Sequence, residues 1–334
     1  MRGETVTAAA GSIPAAVGGP LTSHPNVSPL TLPSHVLSRL TPHTVSDALA
    51  AATKLLEEAG LAEPRREAEE LYAALVRRPT SAAWLEREEP IPSRVRAALE
   101  VAAQRRAALW PQAYAAGAAN FRGHWLAVDR RVLIPRPETE GLVDLVLEWA
   151  KAAGRAGTPL VVADACTGSG AIAAALALEA APGAIRVIAT DCSAAALDVA
   201  RLNMAALGLR DRVELRHGDL LEPLGGAPVD AVVSNPPYVA AAEWDALEAS
   251  VRDFEPREAL VSGEDGLAAI RALIVQARSA LRAGGLLALE VDARRAAEAA
   301  ALAAAASFAS CTVLQDLFGR PRYLRARRPA DGSD

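Results

Sequence analysis

Lysine is nearly absent from this chain: Lys54 and Lys151 are its only two, so almost all of the positive charge is arginine. Aromatic residues reach 4% in a sequence that is 51% hydrophobic, which leaves Leu, Val and Ala to build the core. Cys166, Cys192 and Cys311 lie far apart with no CxxC pair, and the five histidines form no HxxxH cluster. Neither a disulfide framework nor a metal site is therefore expected, and a reducing cytoplasm suits the chain. The first residues make no signal peptide, because Glu4 follows Arg2 and Gly11, Pro14, Gly18 and Gly19 interrupt any apolar run. No stretch approaches the ~20 apolar residues that a membrane helix needs. Thirty-five basic residues against forty acidic ones leave a net charge of -5, which argues against affinity that rests on wrapping nucleic acid.

What the chain does contain falls into segments. Its 334 residues are enough for two domains at roughly 100–200 residues each. Residues 1–43 are rich in Ala, Gly, Pro, Ser and Thr and lack any period, the composition of a disordered leader. From Thr44 onward, helical spacing appears. Ser46 or Asp47 is expected to cap a helix carrying Leu49, Leu55 and Leu56 that ends at Gly60. Two more helices are predicted, from about Pro64 to Arg77 and from about Ser93 to Leu109. Residues 44–110 thus read as a small helical domain.

Residues 120–134 alternate around Gly123 as a short hairpin would, and with Pro135–Glu140 they make a connector over 111–140. The proline and acids there suit the start of an apolar helix. After Pro159, strands and helices alternate: LVVADA (160–165), RVIATD (186–191), VELRHGD (213–219), DAVVSNPPY (230–238) and GGLLALEV (284–291) are the predicted strands, with two more near the C-terminus. That alternation predicts a doubly wound α/β sheet over 141–328, followed by a short tail at 329–334.

Two motifs carry chemistry. Cys166-Thr167-Gly168-Ser169-Gly170 leaves a predicted strand and opens a predicted helix, and Asp191 ends the next strand. Glycines let a backbone turn sharply toward a ligand, and a carboxylate at that spacing can accept hydrogen bonds from ribose hydroxyls. A nicotinamide dinucleotide and S-adenosylmethionine both fit this pattern, as does a plain tight turn. Asp219 and Leu220, past the third strand, border the nucleoside side of such a sheet and are candidates for contact with adenine.

The sharper motif is Asn235-Pro236-Pro237-Tyr238. Two prolines at the end of a central strand are poor for pairing, since neither donates a backbone hydrogen. Such a local conflict marks a functional site. Methylating an amide or exocyclic amino nitrogen is hard because its lone pair is delocalised. The Asn235 side-chain oxygen and the Pro236 carbonyl can each accept one N–H of the substrate and so aim that lone pair at a methyl donor. Pro237 fixes the backbone, and Tyr238 offers a flat face to a planar amide or base.

With these residues in view, the sequence resembles the PrmC/HemK family of protein-glutamine methyltransferases. The resemblance rests on VLIPRPETE (132–140), DACTGSGAIAAAL (164–176), HGDLLEPL (217–224), SNPPYV (234–239), the FEP and GEDGL segments within 251–267, and DLFGRPRYLRARR (316–328). It implies a Rossmann-like class I S-adenosylmethionine-dependent methyltransferase sheet with an N-terminal helical domain that docks the substrate. It further implies methylation of the GGQ glutamine of peptide-chain release factors. Asn235, Pro236, Pro237 and Tyr238 match the family's glutamine-binding motif; Thr167, Gly168, Ser169, Gly170 and Asp191 match its S-adenosylmethionine site. Cys166 stands where the family usually has glycine, and EVDARR (290–295) replaces its usual glycine- and glutamine-containing segment. A nucleic-acid N-methyltransferase acting on adenine or guanine amines is the competing reading, because NPPY alone is shared with those enzymes.

Overall fold

A computed structural model describes residues 44–153 and 158–330. The expected disordered leader (1–43) and the end of the tail (331–334) lie outside the described residues. Helix α1 (Val45–Glu58) starts on a reciprocal cap: Thr44 Oγ1 accepts the Asp47 N–H and Asp47 Oδ2 accepts the Thr44 N–H, each at 3.1 Å. The cap is therefore Thr44, with Asp47 as its partner inside the helix and Ser46 playing no part in it. Helix α2 (Pro64–Val76) and helix α4 (Ser93–Ala107) follow the predicted pattern, and two short helices, α3 (Ala82–Leu85) and α5 (Gln112–Ala116), join them. Segments of four and five residues are too short to display a helical period, which is why the sequence did not announce them. Leu56, Leu71 and Leu99, all buried, form the centre of this helical layer.

The hairpin is shorter than its alternation implied. Strands β1 (Ala118–Phe121) and β2 (His124–Ala127) turn at Arg122-Gly123, both in the left-handed region, and residues 128–134 form no strand. Past a 3-10 turn at Pro137–Thr139, helix α6 (Glu140–Ala153) leads into the main sheet.

That sheet has seven strands: β3 (Leu160–Ala165), β4 (Ile185–Asp191), β5 (Val213–His217), β6 (Val229–Ser234), β7 (Leu281–Glu290), β8 (Ala309–Gln315) and β9 (Pro321–Arg327). Their order is β5-β4-β3-β6-β7-β9-β8, and β9 runs antiparallel to both of its neighbours. Helices α7 (Ala171–Glu179), α8 (Ala194–Ala206), α9 (Ala249–Arg252), α10 (Ala268–Ala280) and α11 (Ala296–Ala305) complete the chain. Side chains alternate between the two faces of each strand. Val162, Val187 and Val233 join Leu142, Val146 and Leu176 on one face; Ala163, Ile188 and Val232 join Ile270 and Leu273 on the other. Helix α7 needs no polar stripe, because Ala171 through Ala177 are all buried. Two predicted strands end early. β5 stops at His217, before Gly218-Asp219, and β6 stops at Ser234, so the whole Asn-Pro-Pro-Tyr run lies in the loop beyond the sheet. Prolines have no place in a paired central strand, and the chain leaves the ladder where they begin.

Candidate active site

Register levels the strand ends. Ala165 of β3 lies opposite Thr190 of β4 and Ser234 of β6, and Asp191 lies opposite His217 of β5. The chain runs outward from β3 through β4 to β5, then returns to β6 on the other side of β3. A crevice opens at the carboxyl ends of strands where the winding reverses in this way. Cys166–Gly170, Asp191, Asp219 and Asn235–Tyr238 all follow these four strand ends.

The glycine loop is held from below and from the side. Asp164, fully buried, accepts the Thr167 hydroxyl at 2.7 Å and the Ala173 N–H at 3.1 Å on Oδ2. Its Oδ1 has no partner among the described residues, and burial pushes the carboxyl up to about 7. Cys166 takes φ 57°, a left-handed conformation that a side chain disfavours, which gives a physical reason for glycine to be usual at that position. Its thiol is pushed up by burial and by the nearby Asp191 carboxylate, so it is no nucleophile. Gly168 donates its N–H to Asp191 Oδ2 at 2.8 Å, and Ser193 N–H meets Asp191 Oδ1 at 2.9 Å. Burial raises the Asp191 carboxyl, opposed by these two N–H groups. A side chain added at Gly168 would meet nothing within 4 Å, so the loop leaves open space above its backbone. An acidic group that is oriented, half-buried and beside that space fits a ribose-bearing cofactor. Ser169 is buried, and its carbonyl accepts the Asn203 side-chain amide at 2.8 Å; the same Asn203 exchanges two bonds with the Ala127 backbone, tying β2 to the loop.

Asp219 is exposed on the same edge. Leu220 beside it is buried in the apolar layer with Ala165 and Ile188, and its carbonyl accepts the Thr190 hydroxyl at 2.5 Å.

Beyond β6, Asn235 Nδ2 donates to Thr139 Oγ1 at 3.0 Å. Among the described residues nothing donates to Asn235 Oδ1 or to the Pro236 carbonyl. Leu133, Arg136, Ala259 and Leu260 complete a small pocket with Asn235, the two prolines and Tyr238. The segments that contribute them are braced by Glu255, which accepts the Ile134 N–H and pairs with Arg136. Gly266, at φ 76°, sits where a Cβ would fall 2.6 Å from the Tyr238 carbonyl, so only glycine allows that loop to close on the motif.

Two residues of the site were not singled out in the sequence, although Thr139 lies within the VLIPRPETE segment. Thr139 lies in what read as a helix start, and Glu290 ends β7 in a segment that departs from the family pattern. Both are buried. Thr139 donates to Glu290 Oε2 at 2.7 Å, and the Tyr238 hydroxyl donates to Glu290 Oε1 at 3.2 Å. Burial raises the Glu290 carboxyl against the pull of Thr139, Arg322 and Tyr238. Among the described residues no cluster could hold a metal ion, and no helix is long and apolar enough to cross a membrane.

A mostly parallel seven-stranded sheet, with a glycine loop, an acid on the next strand end and Asn-Pro-Pro-Tyr after the fourth strand, defines a class I methyltransferase fold. The hMettl16 catalytic domain, solved with the MAT2A 3'UTR hairpin 6, matches that fold with a TM-score of 0.50 at 14% identity, over 72% of this chain and 83% of that one. Residues 47–117 match the PrmC N-terminal domain and residues 151–253 the methyltransferase small domain. The release factor glutamine methyltransferase of Cereibacter sphaeroides is 42% identical over 85% of this chain and 99% of its own length. That of Moorella thermoacetica is 43% identical over 85% and 99%, and that of Mycolicibacterium smegmatis 41% over 85% and 97%. The chain belongs to the release factor glutamine methyltransferase family.

Proposed function

We propose that this protein methylates the side-chain amide nitrogen of a protein glutamine, the GGQ glutamine of peptide-chain release factors, in the cytoplasm. The observation that carries the chemistry is the Asn235 amide, whose nitrogen is engaged by Thr139 while its oxygen, like the carbonyl of the adjacent Pro236, receives no donor among the described residues. Two acceptors on adjacent residues match the two N–H bonds of a primary amide. Held on both, the glutamine nitrogen presents its lone pair to the cofactor side of the site. Such positioning is worth up to ~7–11 kcal/mol of barrier without a strong base. Tyr238 and Pro237 flank the amide plane.

S-adenosylmethionine supplies an electrophilic sulfonium methyl, so no covalent relay through Cys166 or another nucleophile is needed. Asp191 would hold its ribose hydroxyls, Thr167, Gly168, Ser169 and Gly170 would give it a backbone surface, and Asp219 and Leu220 would flank the adenine. The helical layer at 44–110 provides a second contact surface for a folded partner. Family membership supports the release factor as that partner.

The test is incubation with radiolabelled S-adenosylmethionine, a release factor, and separately RNA and DNA. Label is expected on the GGQ glutamine and lost when that residue is changed. Label confined to nucleic acid would overturn the proposal.

A further inference from the structure

We infer that Glu290, acting through Thr139, sets which way the Asn235 amide faces, making both positioning residues for glutamine methylation. The inference rests on the function proposed above and deepens it. A threonine hydroxyl has one proton and two lone pairs. Thr139 gives that proton to Glu290 Oε2 at 2.7 Å, and both Glu290 oxygens serve as acceptors, the other one for the Tyr238 hydroxyl. Toward Asn235, 3.0 Å away, the hydroxyl can then only accept, so the amide must turn its NH2 to Thr139 and its oxygen to the substrate. An asparagine without this constraint is free to rotate by half a turn and offer a donor where the glutamine amide needs an acceptor. The second Glu290 oxygen accepts from Tyr238, so one carboxylate orients both ends of the Asn-Pro-Pro-Tyr loop. Thr139 and Glu290 are each nearly inaccessible to solvent, at 4% and 1% exposure, so water does not compete for these bonds.

Kinetics and a neutron structure test this together. Thr139→Val keeps the shape and removes the hydroxyl; it should lower kcat by about 10- to 100-fold, with affinity for S-adenosylhomocysteine unchanged. Thr139→Ser, which restores the hydroxyl, should recover turnover. In an Asn235→Ala background, Thr139→Val should cost almost nothing more, because its effect passes through the amide. Equal losses in both backgrounds, or no rescue by serine, would overturn the inference in favour of a merely structural Thr139. Neutron diffraction from the deuterated protein reads the orientation without any turnover. Deuterons on Asn235 Nδ2 facing Thr139, and the Thr139 deuteron facing Glu290, are expected. An Asn235 oxygen facing Thr139 would refute the inference whatever the enzyme methylates. The expected orientation in a protein that leaves release factors unlabelled would instead count against the proposed substrate alone.

Discussion

The Asp191 carboxylate accepts the backbone N–H of Gly168 at 2.8 Å, so the residue we propose for the cofactor ribose also fastens the glycine loop. Asp191→Ala removes both functions. A hydrogen bond to a charged group contributes about 1.5–3 kcal/mol, so calorimetry should show affinity for S-adenosylhomocysteine falling at least 10- to 100-fold in a protein that still folds. Unchanged affinity would refute the ribose assignment, and tighter binding of NADH by the wild type would point to a dehydrogenase instead.

Asn235→Ala should show a different signature. Removing one acceptor of the substrate amide is expected to lower kcat by about 10²–10³-fold while cofactor affinity changes much less. Near wild-type turnover would rule the role out. Tyr238→Phe keeps the flat ring and loses only the hydroxyl that reaches Glu290, so its loss should be smaller than that of Tyr238→Ala.

Asp164 gives a pH dependence whose sign follows from burial. Its carboxyl titrates at about 7 in the folded protein, above its ordinary value near 4. The folded state therefore holds this proton more tightly than the unfolded chain does. The resulting stability is complete below the ordinary carboxylate range and is lost as pH rises through about 7. Between about pH 5 and pH 8, wild type should lose stability relative to Asp164→Asn, which cannot ionise. Urea midpoints for the two proteins at both pH values provide the measurement, and parallel pH profiles would contradict it.

Cys166 offers a stability prediction. A non-glycine residue at φ 57° costs roughly 1–2 kcal/mol, and glycine at the same place gives part of that back by loosening the unfolded chain. Cys166→Gly should thus raise the unfolding free energy by about 1 kcal/mol in denaturant titration. A decrease would mean that thiol packing outweighs the backbone strain.

Much of this molecule was legible in its residues because the signals are local. Apolar runs located the five parallel strands β3 to β7 to within a few residues: β3, β4, β6 and the second half of β7 are buried on both faces and read as Val, Ala, Ile and Leu stretches, while the edge strand β5 shows only a short VELRH run. The glycine loop, Asp191 and Asn-Pro-Pro-Tyr stood out for the same reason: each is a short segment whose residue types conflict with, or interrupt, the element around it.

What escaped was whatever depends on distant pairing. The hairpin stops at Ala127, seven residues short of its alternating stretch, because its partner strand begins only at Ala118, after helix α5, and leaves residues 128–134 nothing to pair with. Thr139 and Glu290, separated by 151 positions, meet only because β7 lies beside β6 and the 3-10 turn before α6 sits at the same strand ends. By itself the sequence settled the succession of the main strands and helices, the glycine loop after β3 and the Asn-Pro-Pro-Tyr segment after β6. Only the tertiary structure decided which way the Asn235 amide points, because that depends on a single proton shared between side chains that three separate segments bring together.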